Sequence, residues 1–119
     1  MRRMAATSEW RCRVTDLPPG RTAKFSLRCG GRTVEGFVVA HDGDYFAYLN
    51  RCPHRGTPLD LWPNEFLSED RRSLVCSTHG AIYDPASGLC TAGPCVGDVL
   101  TALPLRRDRD AIVVTCPAP

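Results

Sequence analysis

Apolar and polar side chains alternate along Ala23-Lys24-Phe25-Ser26-Leu27-Arg28-Cys29. A period of two is that of a strand with one face in a core and the other in water. Trp10 to Val14 reads as an earlier strand, set off by the turn Asp16-Leu17-Pro18-Pro19-Gly20. Gly30-Gly31 is a hairpin signal, and Thr33 to Ala40 follows it as the returning strand. The end of that strand, Phe37-Val38-Val39-Ala40, is apolar without a break, which predicts burial on both faces. His41-Asp42-Gly43-Asp44 turns the chain again into a strand from Tyr45 to Leu49. Turns spaced by about ten residues are those of an antiparallel meander in an all-β domain.

The alternation stops between Asn50 and Asp84. Within that stretch only Ser73-Leu74-Val75 and Ala81-Ile82-Tyr83 read as short strands, and Asp84-Pro85-Ala86-Ser87-Gly88 as a turn. After Gly97, Val99 to Leu105 and Ala111 to Cys116 read as two returning strands around the charged turn Arg106-Arg107-Asp108-Arg109-Asp110. They are expected to close the sheet begun by the first half, with Pro104 at an edge or bulge. No internal repeat is present, and no helix of more than two turns is predicted.

With 119 residues and 43% hydrophobic content, the chain suffices for one domain with a small core. Fifteen basic and thirteen acidic residues nearly balance, and the arginines are scattered rather than striped. Nothing in that pattern predicts a nucleic-acid partner. No apolar run approaches the roughly 20 residues of a membrane helix, so no membrane partner is expected. Residues 1–9 carry a basic pair with no apolar stretch behind it and read as a flexible tail, leaving 10–117 as the domain and the cytoplasm as the expected location. Seven cysteines are many for this length. In a reducing compartment metal ligation accounts for cysteines better than a disulfide framework does. Cys12, Cys29 and Cys116 each fall in strand-like stretches and are expected as small buried hydrophobes.

The chemistry concentrates in Cys52-Pro53-His54-Arg55-Gly56 and Cys76-Ser77-Thr78-His79-Gly80-Ala81-Ile82-Tyr83. Each pairs one sulfur donor with one imidazole donor in a short loop. Two such loops make one centre of two sulfurs and two nitrogens, a set that tetrahedral zinc also accepts. Zinc fingers, however, usually pair Cys with Cys and His with His. A Cys–His nucleophilic enzyme lacks a third, orienting residue here. His41 stands in a turn without a partner in sequence and reads as a surface residue.

Together the two motifs closely resemble the C-x-H…C-x-x-H-G-x-x-Y/F signature of Rieske-type [2Fe–2S] proteins. The resemblance implies an all-β Rieske-like fold: an antiparallel base built from both chain ends, with a smaller cluster-binding subdomain, here 50–94, inserted between base strands. It implies one [2Fe–2S] cluster, with Cys52 and Cys76 as thiolate ligands of one iron and His54 and His79 as imidazole ligands of the other. Gly56, Gly80, Tyr83, Gly93 and Pro94 are expected around it, the last two as the core of a proline-bearing covering loop, Gly88 to Cys95. In that loop Cys90 and Cys95 are packed thiols, a disulfide, or groups with a redox-linked or ligand role.

Departures from the family pattern bear on the potential. High-potential members carry a cysteine in each ligand loop, joined as a disulfide, where this chain has Thr57 and Thr78. They also carry a cluster-facing serine where this chain has Ala81. A midpoint near the low end of the Rieske range, roughly −150 mV, is implied. The longer segment from Pro58 to Arg72 holds Trp62 and Phe66, which either pack beneath it or form a docking patch. The resemblance implies a one-electron carrier, not an enzyme, taking electrons from a reductase and giving them to an oxygenase or another reductase, with no small-molecule substrate. A small subunit of a nitrite-reductase-type complex is the runner-up.

Overall fold

The protein is described by a computed structural model over residues 9–51, 66–68, 72–76, 80–93 and 96–117. Among these residues lie nine short strands in three antiparallel three-stranded sheets, with a single 3-10 turn at Val14–Asp16. The middle sheet is the meander read from the sequence: β2 (Thr22–Cys29), β3 (Arg32–His41) and β4 (Asp44–Leu49), neighbours in that order.

Strand β3 has a core on each side, as its unbroken apolar run predicts. Phe37 and Val39 point into one core with Tyr48, Phe66, Leu74, Tyr83 and Leu100. Val38 and Ala40 point into another with Leu17, Phe25, Leu27, Ile112 and Val114. None of these four β3 residues exceeds 4% exposure. The middle sheet is thus the shared wall of two cores. Gly36 stands in β3 for a packing reason, since a Cβ there would lie 2.7 Å from Leu103 Cδ1 and 2.9 Å from the Phe25 ring.

The second sheet is built from the two chain ends: β1 (Glu9–Arg13), β8 (Leu105–Asp108) and β9 (Ala111–Thr115), in the order β1-β9-β8. Glu9, placed in the tail by its composition, pairs with Thr115. The expected continuity of the first strand with the meander is corrected here. Strand β1 pairs with β9 in all five of its positions, and Trp10 stacks on Phe25 with ring centroids 4.9 Å apart. Burying Trp10 and Cys12 against the middle sheet decides this pairing, not the turn that follows.

The closing strands also differ from expectation. Val99 to Leu105 is no continuous strand; it touches its neighbours through the isolated pairs Leu89↔Val99 and Tyr48↔Ala102. Pro104 has no N–H to give a ladder, and regular pairing starts only after it. Strand β8 then runs through Arg106, Arg107 and Asp108, three residues assigned to the charged turn, leaving Arg109 and Asp110 as the turn, with Arg109 at φ 60°. Strands β8 and β9 complete a sheet with β1, and residues 101–103 meet the meander, along β4, through Leu49 N–H to the Thr101 carbonyl at 2.8 Å and Leu103 N–H to the Ala47 carbonyl at 2.9 Å.

Cys29 and Cys116 are not separate thiols. They form a disulfide with Cα atoms 5.7 Å apart, joining the end of β2 to the residue after β9. Each was read as a small core hydrophobe, but the sheet-on-sheet packing brings the two strand ends together, a proximity 87 residues apart in sequence. Cys12 stays a half-buried thiol whose pKa is pushed up, chiefly by burial and then by the charge of Asp16. His41 is more covered than a surface turn residue: it ends β3, its side chain is 15% exposed, and its Nε2 lies 3.3 Å from Asp42 Oδ2.

Candidate metal centre

The third sheet carries the second ligand motif. It consists of β5 (Leu74–Cys76), β6 (Ala81–Tyr83) and β7 (Cys90–Ala92), in that order. Such short strands need covered faces and covered edges. One face packs on β3: Leu74, Cys76, Ala81 and Tyr83 are all 0% exposed and share the core of Phe37 and Val39. The outer edge of β5 is lined by residues 66–68, through Val75 N–H to the Phe66 carbonyl at 2.8 Å and Ser68 N–H to the Ser73 carbonyl at 2.9 Å. The outer edge of β7 is lined by residues 97–99, through Cys90 N–H to the Asp98 carbonyl at 2.8 Å.

Phe66 settles half of the question raised by the long segment. It is fully buried and stacks on Phe37 with ring centroids 4.2 Å apart, so it packs beneath the sheet and forms no docking patch. Trp62 lies outside the described residues.

Cys76 is the last residue of β5 and faces Ala81 across the hairpin. Gly80 N–H donates to the Cys76 carbonyl at 2.7 Å and closes the loop between them. Gly80 does so at φ 72°, a left-handed conformation that glycine adopts without penalty. The hairpin therefore delivers a buried sulfur and an exposed glycine backbone at one end of the sheet.

The glycine-proline loop arrives at the same place. Gly93, at φ 100°, lies so near the hairpin that a Cβ on it would sit 2.8 Å from Ala81 Cα. This is a backbone-on-backbone approach that no side chain can share. Strand β7 enters the loop through a bulge: Tyr83 pairs with Cys90 and Ile82 with Ala92, which leaves Thr91 extra, its hydroxyl donating to the Ile82 carbonyl at 3.3 Å. The β7 strand and its bulge were missed in the sequence because three residues with one alternation carry no periodic signal.

A further contact, unread in the sequence, ties this sheet to the meander. Tyr48 of β4 donates its hydroxyl to the Pro85 carbonyl at 2.6 Å. Its pKa is pushed up to about 12, first by burial and then by the charge of Asp84. Gly88, at φ 76°, lets the 84–88 turn lie on the Tyr48 ring, where a Cβ would come within 2.9 Å of Cε1. Asp84 holds the turn by accepting hydrogen bonds from Ser87 N–H at 3.2 Å and Ser87 Oγ at 2.7 Å.

The structure thus gathers Cys76, Gly80 and Gly93 at one end of the third sheet, with Tyr83 two pairs behind in the core. Cys52, His54, Gly56, His79, Pro94 and Cys95 lie outside the described residues. Cys90 is buried and not disulfide-bonded, with its sulfur 3.3 Å from the Ala92 carbonyl. Within the described residues the donor chemistry suits an iron–sulfur group: one fully buried cysteine ends a strand, with Gly80 N–H on its carbonyl and Gly93 packed on its cross-strand partner Ala81.

Comparisons with known proteins agree. The ferredoxin of carbazole 1,9a-dioxygenase from Nocardioides aromaticivorans IC177 superposes with a TM-score of 0.70 at 25% identity, over 93% of this chain and all of that one. The terminal oxygenase of carbazole 1,9a-dioxygenase from Novosphingobium sp. KA1 superposes with a TM-score of 0.68 at 16% identity, over 96% of this chain but only 31% of the oxygenase. A chain from a reduced complex between oxygenase and ferredoxin of carbazole 1,9a-dioxygenase gives a TM-score of 0.72 at 16% identity, over 93% of this chain and 29% of that one. The last two show a shared fold. No curated protein sequence matches the chain. The family model of the Rieske [2Fe–2S] domain matches residues 8–106, all but the two ends, and the chain belongs to that family of [2Fe–2S] cluster-binding domains.

Proposed function

We propose that this chain is a one-electron carrier whose acceptor is an oxygenase, with a reductase as donor. The observation that carries the reading is the hairpin end where buried Cys76 accepts the Gly80 N–H and its partner Ala81 takes the close approach of Gly93. The ferredoxin that matches over its whole length serves a dioxygenase, which supports an oxygenase as acceptor.

The ligands we propose are Cys52 and Cys76 through sulfur and His54 and His79 through nitrogen. When bound, the cluster supplies a one-electron site less negative than an all-cysteine one, because neutral imidazole replaces thiolate on one iron. Cys76 contributes its sulfur from a sheet end shielded from water. His54 and His79 would each keep a second ring N–H when holding the cluster, a group able to give up a proton at alkaline pH and so to couple proton to electron uptake. Residues 50–94 act as the cluster-binding subdomain and the rest as a base. The chain transfers electrons and catalyses no step of its own, and we place it in the cytoplasm.

Electron paramagnetic resonance after dithionite reduction tests the ligand set. A rhombic signal of low average g, lost in both His54→Ala and His79→Ala, is expected. An unchanged signal in either variant would remove that histidine from the site. The midpoint is expected near the low end of the Rieske range, and a value above about +100 mV would overturn the low-potential assignment.

A further inference from the structure

The disulfide joins two sheets on the side away from the candidate metal centre. Cys29 belongs to the core of Val38 and Ile112, whereas Cys76 and Cys90 belong to the core of Phe37 and Tyr83. Strand β3 separates the two. Both sulfurs sit where regular pairing ends: Cys29↔Arg32 is the last pair of the β2–β3 hairpin, and Cys116 follows Thr115, the last paired residue of β9. Both residues are half-buried at the edge of that core rather than sealed within it.

Three further observations describe a bond that can open and close without loss of the fold. Eight β2–β3 pairs and five β1–β9 pairs hold the two joined strands to neighbours of their own, apart from the bond. The Arg28 carbonyl lies 3.4 Å from Cys116 Sγ and would accept the hydrogen of the thiol that reduction creates. Arg32 faces Cys29 across the hairpin, and a cation on the same face favours the thiolate that leaves when the bond is cut. Accessible disulfides next to cations are the exchangeable ones, in contrast to those sealed in a core.

We propose that Cys29–Cys116 is a second redox site of the protein: a two-electron, dithiol-exchangeable latch that pins the chain end after β9 to the β2–β3 hairpin, independent of the cluster. A reducing dithiol attacks one sulfur as its thiolate, and the Cys29–Cys116 bond breaks as a mixed disulfide forms. The reductant's second thiol then displaces the remaining sulfur. The pair gains two electrons and two protons and becomes two thiols, while the dithiol becomes its cyclic disulfide. An oxidised dithiol reverses the sequence.

The test uses the cluster-loaded full chain under anaerobic conditions, in graded mixtures of reduced and oxidised dithiothreitol, quenched with acid and alkylated. Peptide mass is expected to show Cys29 and Cys116 labelled together in the folded protein as the mixture becomes reducing, and protected again when it is reversed. The visible cluster spectrum matches that of the Cys29→Ser/Cys116→Ser variant in every mixture, the melting temperature falls, and hydrogen exchange rises around residues 28–33 and 115–117 but not in the third sheet. A Cys29→Ser/Cys116→Ser variant melts lower and shows no dependence on the mixture. Four results would overturn the proposal: thiols already labelled in the oxidising mixture, a bond that yields only on unfolding, labelling of one cysteine without the other, or bleaching of the cluster in the wild-type chain but not in the double variant.

Discussion

Gly93 and Gly97 form a matched pair for testing how the loop meets the ligand hairpin. Their φ angles are 100° and 98°, so an alanine at either must adopt a backbone conformation that costs on the order of 1–3 kcal/mol. Their surroundings differ. A Cβ at Gly97 meets nothing within 4 Å, whereas one at Gly93 meets Ala81 Cα at 2.8 Å. Backbone cannot rotate out of the way as a side chain can, so Gly93→Ala carries an overpacking penalty of about 1–3 kcal/mol on top of the shared one. For a domain of this size that difference separates the two melting temperatures by roughly 4–12 °C. Thermal melts of both variants give the comparison, and the visible spectrum gives a second readout. Gly93→Ala forces the loop off the hairpin and alters the cluster spectrum or its retention, while Gly97→Ala leaves the spectrum alone. Equal melting temperatures and equal spectra would refute the close approach as the reason for glycine at 93.

Other expectations follow from the same geometry. Phe66→Ala removes a fully buried ring stacked on Phe37 and should cost about 3–5 kcal/mol in urea unfolding; a loss under about 1 kcal/mol would contradict the packing. Tyr48→Phe deletes the hydroxyl bond to the Pro85 carbonyl, with an expected cost of about 1–2 kcal/mol at neutral pH. The Tyr48 phenol also sets a pH dependence. With its pKa raised to about 12 in the fold, the unfolded chain binds fewer protons above the ordinary tyrosine value near 10. Stability should therefore fall as pH rises between about 10 and 12, by at most about 2 kcal/mol after screening, and Tyr48→Phe should lose that part of the slope.

The strands that alternate over several residues were readable from the chain alone. β2, β3 and β4 appear within a residue of their expected ends, and the double burial of β3 follows from its unbroken apolar run. The two Cys/His motifs stand out in the sequence because metal ligation demands fixed spacings, and the family model agrees with them, while of the four proposed ligands only Cys76 lies among the described residues. What escaped was decided at long range. The partner of β1, the ladder of β8 after Pro104 and the Cys29–Cys116 bond all depend on which sheet lies against which, and no local pattern encodes that. A reducing compartment favours thiols, and only the tertiary packing sets Cys29 and Cys116 side by side. Tyr48 escaped for a similar reason, because its partner carbonyl at Pro85 is 37 residues away.

The chain leaves the meander after Leu49 and comes back at Thr101, whose carbonyl accepts the Leu49 N–H at 2.8 Å. By topology the intervening half-hundred residues form a cassette with touching ends, which a short turn could replace without stretching the remainder. The shared wall forbids that surgery. Excising the cassette would leave Phe37 and Val39 of β3 facing water on what had been a dry side, converting the base into a sticky sheet rather than a free-standing module. Grafting runs into the same obstacle. A cassette from a relative will be accepted only if its underside fits this pair of side chains, so cassette and scaffold must change in step even though the chain enters and leaves at one place.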